Sequence, residues 1–170
     1  MGKLTLISGI PGSGKSYFGR WAEQTHGVVV VDVDHGGVDR AGLRAQWDVF
    51  GNSYDPRPAL AKLAQHPGHT ALVWGFPFRS IAWLQALASH GAIEPWWFAG
   101  DRDWARRYFL EREGAKPEIF DRQHDGLRRI WPQIAAAFGE RVIETVAGDG
   151  ARVPCEILYR RIFGADEAHA

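Results

Sequence analysis

Cysteine is almost absent from the 170-residue sequence, since Cys155 is the only one. A single cysteine excludes an internal disulfide and a zinc site built from thiolates, and it favours a reducing compartment. The formal net charge is zero, so the chain lacks the overall positive field that attracts nucleic acid, although a local basic groove stays compatible with it. No apolar run is long enough to span a bilayer, and no signal segment precedes the first apolar run. We therefore expect a single domain over 1–170 in the cytoplasm, a monomer or homodimer with no membrane partner.

The segment Leu4 to Ser16, LTLISGIPGSGKS, is an apolar run that ends in the pattern G-x-x-x-x-G-K-S. The run is typical of a strand buried on both faces, and the glycines let backbone N–H groups converge on a polyphosphate. Lys15 adds positive charge near the β- and γ-phosphates, and Ser16 offers a hydroxyl to Mg²⁺ where a helix begins. A glycine-rich turn with an exposed lysine is the alternative, but it leaves the strand and the helix unexplained. We predict that ATP is bound by Gly9, Pro11, Gly12, Ser13, Gly14, Lys15, Ser16 and Tyr17.

Two carboxylates follow the second predicted strand, Val28 to Val31, in the sequence Asp32-Val33-Asp34. Alternation along a strand puts Asp32 and Asp34 on one face at its carboxyl end, where open α/β sheets bind ligands. Like charges this close favour a metal ion or a positive neighbour, which indicates catalytic or Mg²⁺-linked roles. The alternative is that one of them caps the turn formed by His35-Gly36-Gly37.

The remainder of the chain alternates between predicted strands and helices. The further strands are Thr70 to Val73, Ile93 to Ala99 and Arg141 to Ala147. The predicted helices are Tyr17 to His26, Asp39 to Phe50, a short one near Ala59 to Gln65, Ser80 to His90, Asp101 or Asp103 to Glu113, Glu118 to Ile130, Pro132 to Phe138 and Pro154 to Phe163. The segments 1–35, 69–100 and 141–164 form the predicted core, about 36–66 the acceptor-binding region, and about 101–132 a helical lid.

A phosphate-binding loop alone is compatible with a kinase, a GTPase switch or a motor-type ATPase. The sequence lacks the Asn-Lys-x-Asp motif by which GTPases specify guanine, and the strand Thr70 to Val73 is followed by Trp74 rather than by the acidic residue usual in motor ATPases. The acidic pair after the second strand and the arginine-bearing helical hairpin after the fourth favour phosphoryl transfer under a closing lid.

The segments GIPGSGKSYFGR and VVVVDVDHGG resemble the small P-loop kinases, the group that includes shikimate and gluconate kinases, adenylate kinase and the kinase domain of polynucleotide kinase. The resemblance is specific over Leu4 to Asp34 and only topological beyond it. It implies that Asp32 supports Mg²⁺ through water and that Asp34 holds or deprotonates an acceptor hydroxyl. With the rule of right-handed crossovers, it predicts an α/β P-loop NTPase fold whose five-stranded parallel sheet has the order 2-3-1-4-5.

Resemblance also suggests residues for the lid and for the acceptor. The sequence from Trp74 to Arg79, WGFPFR, is similar to the G-F-P-R loop of adenylate kinase. The layout from Trp96 through Arg112 to Pro117 is similar to the polynucleotide kinase lid. This resemblance implies that Arg112, together with Arg107, neutralises charge on the transferred phosphate, and that adenine lies between lid arginines and the loop Gly148 to Arg152. The predicted acceptor-binding residues are Asp34, Arg40, Arg44, Phe76 and Arg79.

Three functions stay open at the level of sequence. The first is a Mg²⁺- and ATP-dependent kinase acting on a hydroxyl, or a phosphate, of a small metabolite or nucleotide. The second is a nucleic-acid kinase acting on a 5′-hydroxyl or a hydroxymethylated base, which the lid layout and the tryptophans Trp74, Trp96, Trp97 and Trp104 favour and the neutral charge disfavours. The third is a non-catalytic nucleotide-dependent switch, which the acidic pair makes the weakest.

Overall fold

The computed structural model describes residues 3–32, 61, 65–75, 93–114 and 116–164. These contain the strands β1 (Leu4–Gly9), β2 (Val29–Asp32), β3 (Thr70–Val73), β4 (Glu94–Ala99) and β5 (Val142–Glu144). They also contain the helices α1 (Lys15–His26), α2 (Arg102–Glu113), α3 (Pro117–Arg129), α4 (Trp131–Phe138) and α5 (Cys155–Phe163), with a 3₁₀ turn over Gly139–Arg141. The helices predicted over 39–50 and 80–90 lie outside the described residues.

The five strands form one parallel sheet in the order β2-β3-β1-β4-β5, which confirms the predicted order. β1 lies at its centre, where Leu6 pairs with Leu72 of β3 and Ile7 with Trp96 of β4. All six residues of β1 are buried. A central strand of a parallel sheet is covered on both faces, which is why its sequence is a continuous apolar run without polar alternation.

Two hydrophobic clusters cover the two faces of the sheet. Leu4 and Leu6 of β1 point to the face that carries α2, α3 and α4, whereas Ile7 points to the face that carries α1 and α5. Trp97 and Phe98 of β4 divide between the two faces in the same way. The period of two along each strand therefore distributes adjacent apolar residues between two helix layers.

Helix ends follow local sequence signals. Gly14 precedes α1 with φ +94°, and Gly27 ends it with φ +67°, a left-handed conformation that glycine adopts without strain. Asp101 caps α2, since its carboxylate accepts a hydrogen bond of 2.8 Å from the Trp104 N–H. α3 begins with Pro117, whose fixed φ suits the first helical position. Of the two predicted caps for α2, Asp101 is the one used.

α2 and α3 pack as a helical pair on one face of the sheet. The Asp121 carboxylate of α3 accepts hydrogen bonds from Arg102 (2.8 Å) and from Arg106 (3.1 and 3.2 Å) of α2. Beneath this ion pair, the rings of Phe109 and Phe120 are 5.6 Å apart between centroids, and both side chains belong to the core. The pair is thus held by a buried aromatic contact and a more exposed ionic one.

Three predicted strands differ in their bounds from the structure. β2 is displaced by one residue to Val29–Asp32, and β4 begins at Glu94 rather than at Ile93. β5 is shorter than the predicted Arg141 to Ala147, because Arg141 belongs to the 3₁₀ turn and Val146 forms an antiparallel bridge with Arg152. This bridge folds 145–153 into a tight loop before α5. No helix in the described part of the chain has the length and apolarity needed to cross a membrane.

Candidate nucleotide-binding site

The loop between β1 and α1 has the backbone of an anion site. Gly12 and Gly14 have φ values of +78° and +94°, and the Ser13 N–H donates a hydrogen bond of 3.2 Å to the Ile10 carbonyl. The Phe18 N–H bonds to the Gly14 carbonyl at 2.9 Å, so α1 begins directly where the loop ends. The first turn of α1 contains no acidic residue. Its partial positive charge therefore remains available to an anion held by the loop.

Lys15 lies under this loop rather than in solvent. Its side chain is buried, and Nζ donates hydrogen bonds to the carbonyls of Gly9 (3.2 Å) and Ile10 (2.9 Å). A buried ammonium requires such partners, and these place its charge within the curve of the loop. This position contradicts the alternative reading of a turn with an exposed lysine.

The loop is wedged between β4 and the first turn of α2. A Cβ built on Gly9 would lie 2.3 Å from the Phe98 carbonyl oxygen, and one built on Gly12 would lie 2.1 Å from the Ala105 carbonyl oxygen. Real Cβ atoms essentially never approach this closely, so both positions require glycine for space as well as for conformation. The phosphate loop and the start of the predicted lid are therefore in direct contact.

Asp32 lies at the same edge of the sheet as the loop. It pairs with Val73 of β3, and Val73 pairs with Ile7 of β1, so Asp32 is two strand spacings, about 10 Å, from Ile7. The Ser16 hydroxyl and the Asp32 carboxylate offer oxygen ligands, the kind that Mg²⁺ prefers. Within the described ranges, no group of three or more His, Cys, Asp or Glu side chains could hold a metal ion. This donor set fits a Mg²⁺ ion that takes its other ligands from water and phosphates.

Several predicted residues cannot be placed. The predicted acceptor residues, including the catalytic candidate Asp34, lie outside the described residues: Asp34, Arg40, Arg44, Phe76 and Arg79. Just before that gap, Trp74 fixes the end of β3 to β1. Its N–H bonds to the Ile7 carbonyl at 3.0 Å, and its carbonyl accepts from the Ser8 hydroxyl at 2.9 Å. The chain therefore enters the predicted acceptor loop beside β1.

Arg107 and Arg112 are exposed residues of α2, the helix whose first turn contacts Gly12. The guanidinium carbon of Arg107 lies 5.4 Å from the centre of the Tyr108 ring. Their proposed contact with a transferred phosphate stays a prediction.

Arg152 occupies a cage of three aromatic rings, which sequence reasoning did not identify. Its guanidinium carbon is 4.7 Å from the ring centroid of Tyr17 and 4.6 Å from those of Trp104 and Tyr108. We call these four residues the Arg152 cage. Trp104 and Tyr108 are four positions apart and so share a face of α2, and Tyr17 follows Ser16 directly. These spacings are the only features of the sequence that could have indicated the cage. The α2 side chains that contact the Arg152 guanidinium are thus aromatic.

A cavity of about 190 Å³ lies between the loop and this cage. The apolar side chains of Phe18, Phe98 and Leu158 line it and are almost fully buried, and Ser13 and Gly14 of the loop form another wall. Cys155 also lines the cavity, and burial raises the pKa of its thiol, which disfavours a reactive thiolate. The cavity is thus an apolar space adjoining a phosphate loop.

Two of the tryptophans considered for base stacking are core residues. Trp97 is fully buried and packs edge-on against Phe138, with ring centroids 5.3 Å apart, and Trp96 is only 7% exposed. Neither ring can receive a base. Trp74 and Trp104 are half-buried, and Trp104 belongs to the Arg152 cage.

Comparison with known proteins gives similarity in structure but not in sequence. No family model and no curated protein matches the chain. A gluconokinase from Sinorhizobium meliloti 1021 matches with a TM-score of 0.53 and 17% identity, over 95% of this chain and 90% of that one. A shikimate kinase from Acinetobacter baumannii in complex with shikimate matches with a TM-score of 0.56 and 15% identity, over 97% and 96%. The Deinococcus radiodurans tunicamycin resistance protein matches with a TM-score of 0.56 and 14% identity, over 95% and 94%.

The chain has the fold of the small P-loop kinases. The small P-loop kinase fold explains why the loop, Asp32 and α2 meet at one edge: the carboxyl ends of parallel strands lie together. At such low sequence identity, the structural similarity shows the fold alone, and the activity must be argued from the site.

Proposed function

We propose that this protein is an ATP-dependent phosphotransferase that moves the γ-phosphate of ATP to a hydroxyl, or a phosphate, of a small metabolite or nucleotide. The observation that carries the proposal is the phosphate loop itself. Gly12 and Gly14 in left-handed conformations, a buried Lys15 and the N-terminus of α1 meet at the sheet edge where β2 ends in Asp32. Kinase names among the structural neighbours agree with it.

The loop would hold ATP through its polyphosphate. Backbone N–H groups of residues 12–16 and the start of α1 bind phosphate oxygens, and the Lys15 ammonium adds charge near the β- and γ-phosphates. Ser16 and, through water, Asp32 would hold a Mg²⁺ ion, which would supply further charge neutralisation on those phosphates. Fixed positive charge around the transferred group is the main catalytic resource in phosphoryl transfer.

In the transfer step, Asp34 orients the acceptor hydroxyl and takes its proton. The acceptor oxygen forms a bond to the γ-phosphorus while the bond from that phosphorus to the β,γ-bridging oxygen breaks, leaving ADP. Arg112, with Arg107, neutralises charge on the transferred group from the α2 side. An arginine in this position can contribute about 10³-fold or more in rate.

The acceptor is most simply a small molecule. Trp96 and Trp97, two of the four rings that favoured nucleic acid, are buried in the core, and the net charge is zero. A single strand of nucleic acid is usually bound by exposed stacking rings in a basic groove. The acceptor's chemical identity depends on residues 33–60 and 76–92, so a panel of acceptors is needed.

The test is transfer of label from γ-labelled ATP with Mg²⁺ to three separate acceptor sets. These are pooled small hydroxyl compounds and nucleotides, 5′-hydroxyl oligonucleotides, and DNA carrying hydroxymethylpyrimidine. Asp34→Asn removes the proposed base, while Asp103→Asn removes an exposed carboxylate of α2 as a matched control. We expect label in the first set, lost in Asp34→Asn and retained in Asp103→Asn.

The other outcomes are equally informative. Label on an oligonucleotide or on modified DNA would identify a nucleic-acid kinase instead. Lys15-dependent binding of ATP without Asp34-dependent transfer to any acceptor would contradict the enzyme and support a nucleotide-dependent switch.

A further inference from the structure

The cavity beside the phosphate loop has a volume of about 190 Å³, whereas small-molecule sites usually range from about 300 to 1,000 Å³. Arg152 lines this cavity, so its side chain takes up part of the space next to the loop. Moving that one side chain away would enlarge the cavity.

The position of Arg152 is fixed by its backbone. The backbone of Arg152 forms an isolated antiparallel β-bridge with that of Val146, and the neighbouring Val153 N–H donates a hydrogen bond of 3.0 Å to the Thr145 carbonyl. The Ala147 N–H bonds to the Ala151 carbonyl at 2.7 Å, which closes the loop. The backbone is therefore anchored, and the flexible part is the long side chain.

Within the described residues, the Arg152 guanidinium forms no ion pair, and it packs on the three rings of the cage. These rings come from two helices, Tyr17 from α1 and both Trp104 and Tyr108 from α2. A guanidinium stacked on aromatic rings gains cation–π attraction, worth about two- to fivefold in an equilibrium constant for each exposed contact. These ring contacts hold the guanidinium in place, yet each is weak enough to be exchanged for a contact between the ring and another planar group.

We propose that Arg152 is a gate for the nucleotide site. Its guanidinium occupies the aromatic cage beside the phosphate loop, and the base of an incoming nucleotide displaces it from Trp104 and Tyr108. The faces of those rings then become available to a planar base, which stacks on aromatic rings as a guanidinium does. This proposal rests on the proposed function, since it assumes that a nucleotide binds at the loop.

Removal of Arg152 should change the affinity for nucleotide in opposite directions, depending on whether Arg152 is a gate or a binding residue. If Arg152 competes with the base, its removal speeds nucleotide entry and tightens binding. If Arg152 instead contacts the base or the phosphates, its removal weakens binding, mainly through faster dissociation. The direction of change therefore decides between the two roles.

The experiment is stopped-flow binding of ribose-labelled fluorescent ADP with Mg²⁺ to the full chain. It compares wild type, Arg152→Ala and Arg152→Gln, with Arg161→Ala as a control that removes an exposed arginine of α5. Far-UV circular dichroism establishes that each variant is folded. We expect association to rise about fivefold or more in both Arg152 variants, with a matching fall in Kd, and no change in Arg161→Ala.

An unchanged or slower association in folded Arg152 variants would overturn the gate. Lys15→Met, measured alongside, separates this from a failure of the proposed function. Lys15-dependent ADP binding with no gain in the Arg152 variants overturns the gate alone, whereas no Lys15-dependent ADP binding in any variant overturns both.

Discussion

The Cβ that Gly12 lacks would lie 2.1 Å from the carbonyl oxygen of Ala105. The phosphate loop and the first turn of α2 are therefore in van der Waals contact at this point, with no room for a side chain between them. Because packed segments transmit displacements to each other, a shift of α2 must shift the loop, and a shift of the loop must shift α2. This contact connects the proposed nucleotide-binding loop with the helix that carries Arg107 and Arg112.

Replacing Gly12 with alanine should damage both stability and nucleotide binding. At φ +78° an L-residue costs about 1–2 kcal/mol, and overpacking against Ala105 adds about 1–3 kcal/mol. We expect at least a tenfold loss of MgADP affinity, because relieving the clash must shift the loop. Urea unfolding and isothermal titration calorimetry measure the two effects.

Gly27→Ala is the matched control for Gly12→Ala. Gly27, at the end of α1 opposite the loop, has φ +67°, but a Cβ there would meet no atom within 4 Å. This variant should therefore show only the conformational cost, with MgADP affinity close to wild type. Equal losses of stability in the two variants would show that the Ala105 contact carries no free energy.

The phosphate loop and the strands were predictable because their signals are local, whereas the strand order came from the crossover rule and the family resemblance. Leu4, Leu6 and Ile7 form an apolar run typical of a strand buried on both faces, and the spacing from Gly9 to Lys15 predicts the loop. Asp101 as a helix cap is a signal of the same kind, contained within four residues.

The Arg152 cage was not predictable, because its contacts join distant segments. Tyr17, Trp104 and Arg152 are brought together by the packing of α1, α2 and the loop 145–153 on β4 and β5. A single sequence does not say which exposed arginine meets which ring. For the same reason, the sequence did not show whether a tryptophan near the site belongs to the core or stacks on a base. The burial of Trp97, for example, depends on the packing of α4 across β4.

Lys15→Met should abolish transfer while leaving the fold intact. Methionine keeps the length and apolar stem of the lysine, but it removes the charge that Nζ places under the loop. Loss of a positively charged group at the transferred phosphate costs on the order of 10²–10³ in rate or more. Steady-state kinetics with the acceptor found in the transfer assay measures the loss, and Lys116→Met, which removes an exposed lysine, should leave the rate unchanged. Similar rates in both variants would contradict a role for Lys15.

Asp121→Asn should reduce stability at neutral pH but not in acid. The hydrogen bond from Arg106 lowers the pKa of the Asp121 carboxyl below its usual 3.8. A lowered folded-state pKa stabilises the native state above the unfolded pKa, and that stabilisation is lost as pH falls through the folded value. The difference between wild type and Asp121→Asn in urea unfolding should therefore be present at pH 7 and shrink below pH 3.8.

Glu111→Gln, at an exposed position of α2, is the control for Asp121→Asn. It removes a carboxylate of the facing helix that forms no ion pair within the described residues. Urea unfolding of this variant should stay close to that of wild type. A pH-independent difference for Asp121→Asn would mean that packing, and not the carboxylate charge, holds α2 against α3.

His124→Phe should make the protein less sensitive to mild acid. Burial lowers the pKa of His124 from 6.5, with Arg102 as a further cause, and its ring stacks on Phe120 at 5.8 Å between centroids. A histidine with a lowered folded-state pKa favours the native state above pH 6.5, and this advantage is lost as pH falls through the folded value. Phenylalanine keeps the stack but cannot take up a proton, so the wild type should lose more stability than His124→Phe between pH 7.5 and pH 5. Thermal unfolding at the two pH values measures the difference, and parallel losses in both proteins would assign the acid sensitivity to other groups.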